Sequence, residues 1–215
     1  MKKHKIPVAK EGWPFILTLA LFTLLLFVFG WKNIGLISFV LTLFVLSFFR
    51  DPERTVPEGR NVVVSPADGK VVVIKDIYEP DYLQEEVTQI SIFLSVFNVH
   101  VNRAPIGGVI ETVKYNPGRF HIASVDKASL DNEQIGMVIR DGNRKIFVKQ
   151  IAGFIARRVV CYAKPGDVIK KGERYGLIRF GSRADIFLPK DAEIKVQLGD
   201  KLKGARDIIG LLKNE

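Results

Sequence analysis

The feature that most constrains this chain is a stretch of 36 residues, Pro14 to Phe49, in which the only charged side chain is Lys32. A single helix of that length would run to about 54 Å, well past the ~30 Å hydrocarbon core of a bilayer. The break Trp31-Lys-Asn-Ile-Gly35 instead predicts a hairpin of two apolar helices within residues 14–49. Each arm holds about 16 residues, or roughly 24 Å, which is short for a full span, so a spanning and a re-entrant hairpin both stay open. The basic start Met1–Lys5 resembles a signal peptide, but no small-residue cleavage site follows and a second apolar stretch begins at once. Lysines precede Pro14 and arginines follow Phe49, so the positive-inside rule places both outer ends on the cytoplasmic side of the cell (inner) membrane. The remainder of the chain should sit on that face.

The formal charge of +9 divides into two parts. Residues 1–55 carry seven basic and three acidic side chains, whereas residues 56–215 carry 25 basic and 20 acidic ones, interspersed. No basic run or arginine-rich helix marks a nucleic-acid footprint, and basic residues beside an apolar segment suit an anionic membrane surface better. A single cysteine, Cys161, excludes an intrachain disulfide framework, and with only His4, His100 and His121 a zinc site is not expected.

After the linker 50–60, with its two prolines and a glycine, short β-branched runs alternate with turn signals. They begin near Asn61, Lys70, Val87, Gly108, Gly136 and Lys145, and Asp141-Gly-Asn-Arg144 reads as a hairpin turn between the last two. Val125–Gln134 is the only short helix this pattern admits. The reading is a mainly β (α+β) domain over residues 61–215, behind a basic N-terminus (1–13), the hairpin and the linker. Ala163–Phe180 places Pro-Gly-Asp and Lys-Gly-Glu turns around short strands, which resembles the hammerhead half of biotinyl and lipoyl carrier domains, with Pro66–Val72 as its candidate first half. In such domains the modified lysine follows directly. Here Gly181-Ser-Arg183 stands in that place.

That Gly-Ser pair is uninformative by itself and informative in company. Val64-Ser-Pro-Ala-Asp68-Gly-Lys, Ser95-Val-Phe-Asn-Val-His100-Val-Asn-Arg-Ala-Pro105, Tyr115–Glu133, Gln150–Cys161 and Phe180-Gly-Ser-Arg183 occur in one chain. Together they resemble the phosphatidylserine decarboxylases, in the short membrane-anchored form of bacteria and archaea, over roughly Arg50 to Pro189 plus the hairpin. The resemblance implies a self-made cofactor. Ser182 would attack the Gly181 carbonyl to give an ester, and elimination would cut the chain. Loss of ammonia would then leave a pyruvoyl group at the head of a 34-residue α chain, residues 182–215. Residues 1–181 would form the β chain, the two remaining together as a heterodimer or a higher oligomer. The implied reaction converts phosphatidylserine to phosphatidylethanolamine and CO₂ through a Schiff base on that group, in phospholipid biosynthesis, without a metal. An archaeal ether lipid with the same headgroup is an equivalent substrate for this reading.

The family's activating His and Asp map onto His100 and Asp68. Elementary chemistry agrees. A serine hydroxyl needs an adjacent base, His titrates nearest neutrality, and a carboxylate on the other ring nitrogen would fix its tautomer. These three are therefore expected as a triad, with His100 also reprotonating the product carbanion. Each has a plainer reading: Ser182 as a turn serine, His100 as a core histidine, Asp68 as a type I turn residue. His121 and Arg183 are candidate substrate contacts, and Arg103, Arg119, Arg157 and Arg158 candidate phosphate partners. Many of the family carry Leu-Gly-Ser-Thr where this chain has Phe180-Gly-Ser-Arg183. Two other classes compete: a membrane-anchored hammerhead adaptor without catalysis, and a tethered serine hydrolase, for which Gly-x-Ser-x-Gly is absent.

Overall fold

The computed structural model describes residues 7–118, 132–153, 158–179 and 182–213. It divides into two compact units, Met1–Glu53 and Arg54–Glu215. In the first, α1 (Trp13–Val28) and α2 (Lys32–Phe48) form the expected pair of apolar helices. Pro14 sits in the first turn of α1, where its missing N–H would have no partner anyway. The turn is tighter and earlier than Trp31–Gly35. Gly30 takes the left-handed conformation (φ 79°) that ends α1, and helix resumes at Lys32. Gly35 then lies inside α2, where an added Cβ would stand 3.0 Å from the Phe27 ring.

The helices are joined by hydroxyls. Thr23 Oγ1 lies 2.7 Å from Ser38 Oγ and 3.3 Å from Thr42 Oγ1, while Leu17, Leu21, Leu24, Ile37 and Val40 point outward. Small polar residues between helices and apolar ones outside is the arrangement that lipid demands, because lipid supplies no hydrophobic drive between helices. The first helical stretch, Lys10–Val28, is long and apolar enough to cross a bilayer by length and composition, and Lys32–Phe48 is shorter.

The second unit is mostly strand. Its main sheet has eight strands, built from β2 (Gly69–Glu79), β3 (Glu85–Leu94), β5 (Gly108–Asn116), β6 (Gln134–Asp141), β7 (Arg144–Ile151), β9 (Val168–Ile169), β11 (Ser182–Pro189) and β13 (Lys201–Leu202). The order is β13-β2-β3-β11-β7-β6-β5-β9, antiparallel throughout and curled. Two three-stranded sheets complete it: β4 (Val101–Arg103) and β8 (Val159–Cys161) on either side of β10 (Arg174–Ile178), and β1 (Val62–Val64) and β12 (Glu193–Ile194) on either side of β14 (Ile208–Leu211). The six strand runs read from the sequence all appear as strands. The Asp141–Arg144 hairpin closes with Gly142 at φ 64°, the glycine-first two-residue loop that suits a twisted hairpin. The helix expected over 125–134 falls largely outside the described residues, and its last member, Gln134, begins β6.

The hammerhead-like stretch forms its two turns as read. Gly166 (φ 90°) and Gly172 (φ 76°) carry them, with Asp167 and Glu173 carboxylates accepting from the Lys164 and Lys170 N–H groups at 2.8 and 2.9 Å. The core lies on one face of the main sheet, where Ile90, Ile92 and Leu94 of β3 meet Met137 and Ile139, Ile146 and Val148, and Ala184, Ile186 and Leu188. The other face of the same strands holds a smaller cluster of Val87, Val138, Phe147 and Phe187. Strand β11, fourth in the order, has both faces covered.

Candidate active site

Ser182 is the first residue of β11 and is 0% exposed. Alternation puts its side chain on the face of Ala184 and Ile186, toward the main core. Its Oγ has no hydrogen-bond partner among the described residues. Buried hydroxyls in folded proteins are nearly always satisfied, so this one stands out among the described residues. Two more unpartnered atoms share that neighbourhood. Gln150 stands opposite Ala184 on β7 and donates from Nε2 to Asn102 Oδ1 at 2.8 Å, leaving Gln150 Oε1 and Asn102 Nδ2 buried without partners among the described residues.

Asp68 directly precedes β2. Lys70 pairs with Phe93, and Phe93 pairs in turn with Arg183, so Gly69 lies level with Ser182 two strands away, about 10 Å across the ladder. Gly69 lets β2 lie this close, because an added Cβ would sit 2.3 Å from the Phe93 carbonyl oxygen. The structure departs from the expected triad here. Arg54 donates from Nη2 to both oxygens of Asp68, at 2.9 and 3.2 Å, and the Gly204 N–H donates to Oδ1 at 2.8 Å. A carboxylate buried to this depth requires a charged donor, and the guanidinium meets that need where an imidazole would not carry full charge.

His100 is 0% exposed and holds its Nδ1 2.9 Å from the Asn98 carbonyl oxygen. A carbonyl only accepts, so Nδ1 carries a proton, and in the neutral ring the lone pair lies on Nε2. The tautomer that Asp68 was expected to fix is thus fixed by the backbone two residues upstream. The His100 carbonyl accepts from the Ile178 N–H at 3.2 Å, which places this residue against the end of β10, four positions before Ser182.

The motif blocks converge. Arg103 N–H donates to the Pro66 carbonyl at 2.9 Å and Val64 N–H to Pro105 at 3.0 Å, tying the Asp68 block to the His100 block. β10 pairs with β4, so the strand leading to Ser182 is bonded to the residues after His100. Asn132 Nδ2 donates to the Ala152 carbonyl at 2.8 Å, and Glu133 Oε1 accepts from Val159 N–H at 3.3 Å, joining two further blocks. Gly181, His121, Arg119 and Arg157 lie outside the described residues. Arg103 is buried, with Nη1 donating to the Gly172 carbonyl at 3.3 Å, and Arg158 is exposed. Among the described residues no three His, Cys, Asp or Glu side chains gather as a metal-ligating group.

The sequence model of the phosphatidylserine decarboxylase family matches residues 41–210. The phosphatidylserine decarboxylase proenzyme of Geotalea uraniireducens is 46% identical over 213 residues, covering 99% of this chain and 100% of the relative. That of Syntrophotalea carbinolica is 47% identical over 214 residues, with 99% and 100% coverage. That of Ralstonia pickettii is 44% identical over 209 residues, 95% of each. The chain belongs to the phosphatidylserine decarboxylase family.

Within that family frame, three residues that sequence reasoning missed stand out. Arg54 holds Asp68 from within the linker. Gln150 and Asn102 pair across two sheets beside the Ser182 face. No local signal marks them, since each partner is distant in sequence: 14 residues for Arg54–Asp68 and 48 for Asn102–Gln150. Arg183 is placed differently from the expected substrate contact. It points to the opposite face of β11 from Ser182, and its guanidinium is held by Asp185.

Proposed function

We propose that this chain is a self-processing decarboxylase that converts phosphatidylserine, or an ether lipid with the same headgroup, to the corresponding ethanolamine lipid and CO₂. The observation that carries the reading is the buried Ser182 hydroxyl, without a hydrogen-bond partner among the described residues, at the head of a central strand in a chain of this family. The residues fit a cofactor made from Ser182. Attack of Oγ on the Gly181 carbonyl moves the peptide to an ester; removal of the residue 182 Cα proton then forms a Cα=Cβ bond as the Cβ–O bond breaks, releasing the Gly181 carboxylate. Water then replaces the nitrogen of residue 182, which leaves as ammonia. The resulting ketone, held at the head of β11, would supply the electron sink for decarboxylation of an amine substrate.

The chain's own groups do the rest. His100, with its Nε2 lone pair facing away from Asn98, is the base for Ser182 and the proton donor to the carbon that loses CO₂. Asp68, fixed by Arg54 and Gly204, keeps a negative charge near the residue level of Ser182 and assists the cut. Asn102 and Gln150 offer buried amide atoms to polar groups of the reacting centre. His121 is our candidate for the lipid phosphate. The apolar hairpin keeps the domain at the bilayer that holds its substrate, with the catalytic unit on the cytoplasmic face of the cell membrane.

Denaturing electrophoresis with intact mass, beside a Ser182→Ala control, tests the reading. We expect a fragment beginning at residue 182 and one ammonia lighter than its serine-ended sequence, absent from the control. A single uncut chain in both samples would remove the enzyme reading and leave the hammerhead adaptor.

A further inference from the structure

On the face of β11 turned away from Ser182, two charged side chains are almost wholly buried: Arg183 is 1% exposed and Asp185 0%. The guanidinium grips the carboxylate at two points, Nε to Oδ1 at 2.6 Å and Nη2 to Oδ2 at 3.1 Å. Nη2 also donates to Ser91 Oγ on β3 at 2.8 Å. Gln89, on the same strand, donates from Nε2 to Ser91 Oγ at 3.1 Å and to Asp185 Oδ2 at 3.0 Å. Lys149 of β7 stands opposite Asp185 in register, its ammonium 5.5 Å and 5.7 Å from the Phe147 and Phe187 ring centroids.

An ion pair this deep is a poor device for stability, since its desolvation cost rivals its attraction and packed apolar residues often do as well. Its place in the chain gives it a use. Arg183 is the residue directly after the bond to be cut. Building on the self-cleavage reading above, we propose that Arg183, Asp185, Ser91 and Gln89 form a positioning clamp that holds residue 182 in register at the head of β11 after cleavage. Before the cut, residue 182 is tethered on both sides along the chain. Afterwards it is a strand end, and strand ends open at low cost unless tied down.

The backbone ladder does not by itself prevent slippage, because a shift of two residues keeps every side chain on its own face. The bonds from the buried pair to β3 do resist it, since that shift would carry Arg183 Nη2 off Ser91 and Asp185 Oδ2 off Gln89, leaving buried polar groups unmatched. Arg183 is the right carrier, being paired on both sides, with Phe93 of β3 and Ile151 of β7. The clamp has a second effect. It keeps the guanidinium away from the substrate carboxylate, which must leave as CO₂ and would be held back by a cation.

The test joins a variant with a measurement on the unaltered protein. Arg183→Met/Asp185→Leu removes both charges at similar volume. We expect it to cleave and to keep its KM for phosphatidylserine in mixed micelles, while kcat falls about 10- to 100-fold, the scale of a misplacement near 1 Å. Hydrogen exchange at the amides of 183–185 should show equal protection in the cleaved protein and in uncleaved Ser182→Ala. A wild-type kcat in the double variant, or loss of that protection on cleavage, overturns the clamp and leaves the self-cleavage reading standing. Should the double variant not fold, the exchange comparison decides. An uncut wild-type chain overturns the self-cleavage reading and the clamp together.

Discussion

At the scale of single residues, Asp68 needs a cation in a nearly dry setting, and Arg54 supplies it from within the linker. Arg54→Met would leave that carboxylate buried without its charge partner and should destabilise the protein by about 3 kcal/mol, seen as a lower denaturant midpoint. On the proposed mechanism the same variant should also cut itself more slowly on a timed gel, with Arg54→Lys restoring part of the rate. Lys149 behaves in the opposite sense. Burial, partly offset by Asp185, holds its ammonium below the usual lysine range. Between that lowered value and the unfolded value of 10.5, the unfolded chain binds the extra proton and the folded chain does not, so stability rises with pH across this window. Unfolding measured at pH 7 and at pH 9.5 should therefore show the wild type gaining on Lys149→Met as pH increases. Ser182, His100 and Asp68 were legible as candidates because motif chemistry is local. The partners of Asp68 were not, because Arg54 and Gly204 reach it only through the fold.

At the scale of elements, the close approach of β10 to β8 and β7 sets the inner wall of the site. Gly176 permits it: an added Cβ would lie 2.3 Å from the Val160 carbonyl oxygen and 2.5 Å from Gln150 Nε2. Gly176→Ala should cost about 1–3 kcal/mol through overpacking, measured as a shift in the urea midpoint. It should also push Gln150 off Asn102. Strand runs were readable because β-branched residues between turn signals leave few other options. The register was not, and the placing of Ser182 beside Leu94 rather than one residue along decides which face its hydroxyl takes. The helical hairpin shows the same division. Its existence followed from the missing charges, while its turn lies at Phe29–Trp31 because Gly30 adopts a left-handed backbone and Gly35 is spent on packing against Phe27.

At the scale of the whole molecule, an apolar hairpin precedes a β-rich unit that has its own core. We expect the full chain to sediment with membranes and to resist alkaline carbonate washing. A chain beginning at Glu53, which keeps Arg54, should remain in the supernatant and still yield the fragment starting at residue 182. Failure of that chain to cleave while folded would show that the hairpin takes part in processing. The sequence by itself determined the hairpin, the mainly β character of the rest, and the cluster of motifs that names the family. Each of these depends on composition, period or short-range spacing, which a linear chain displays openly. Only the tertiary structure decided that Asp68 binds Arg54 rather than His100, and that Arg183 turns away from Ser182 to meet Asp185. Those outcomes are choices among competing partners. They are settled by which strands lie side by side and which faces are buried, and the order of residues along the chain does not contain them.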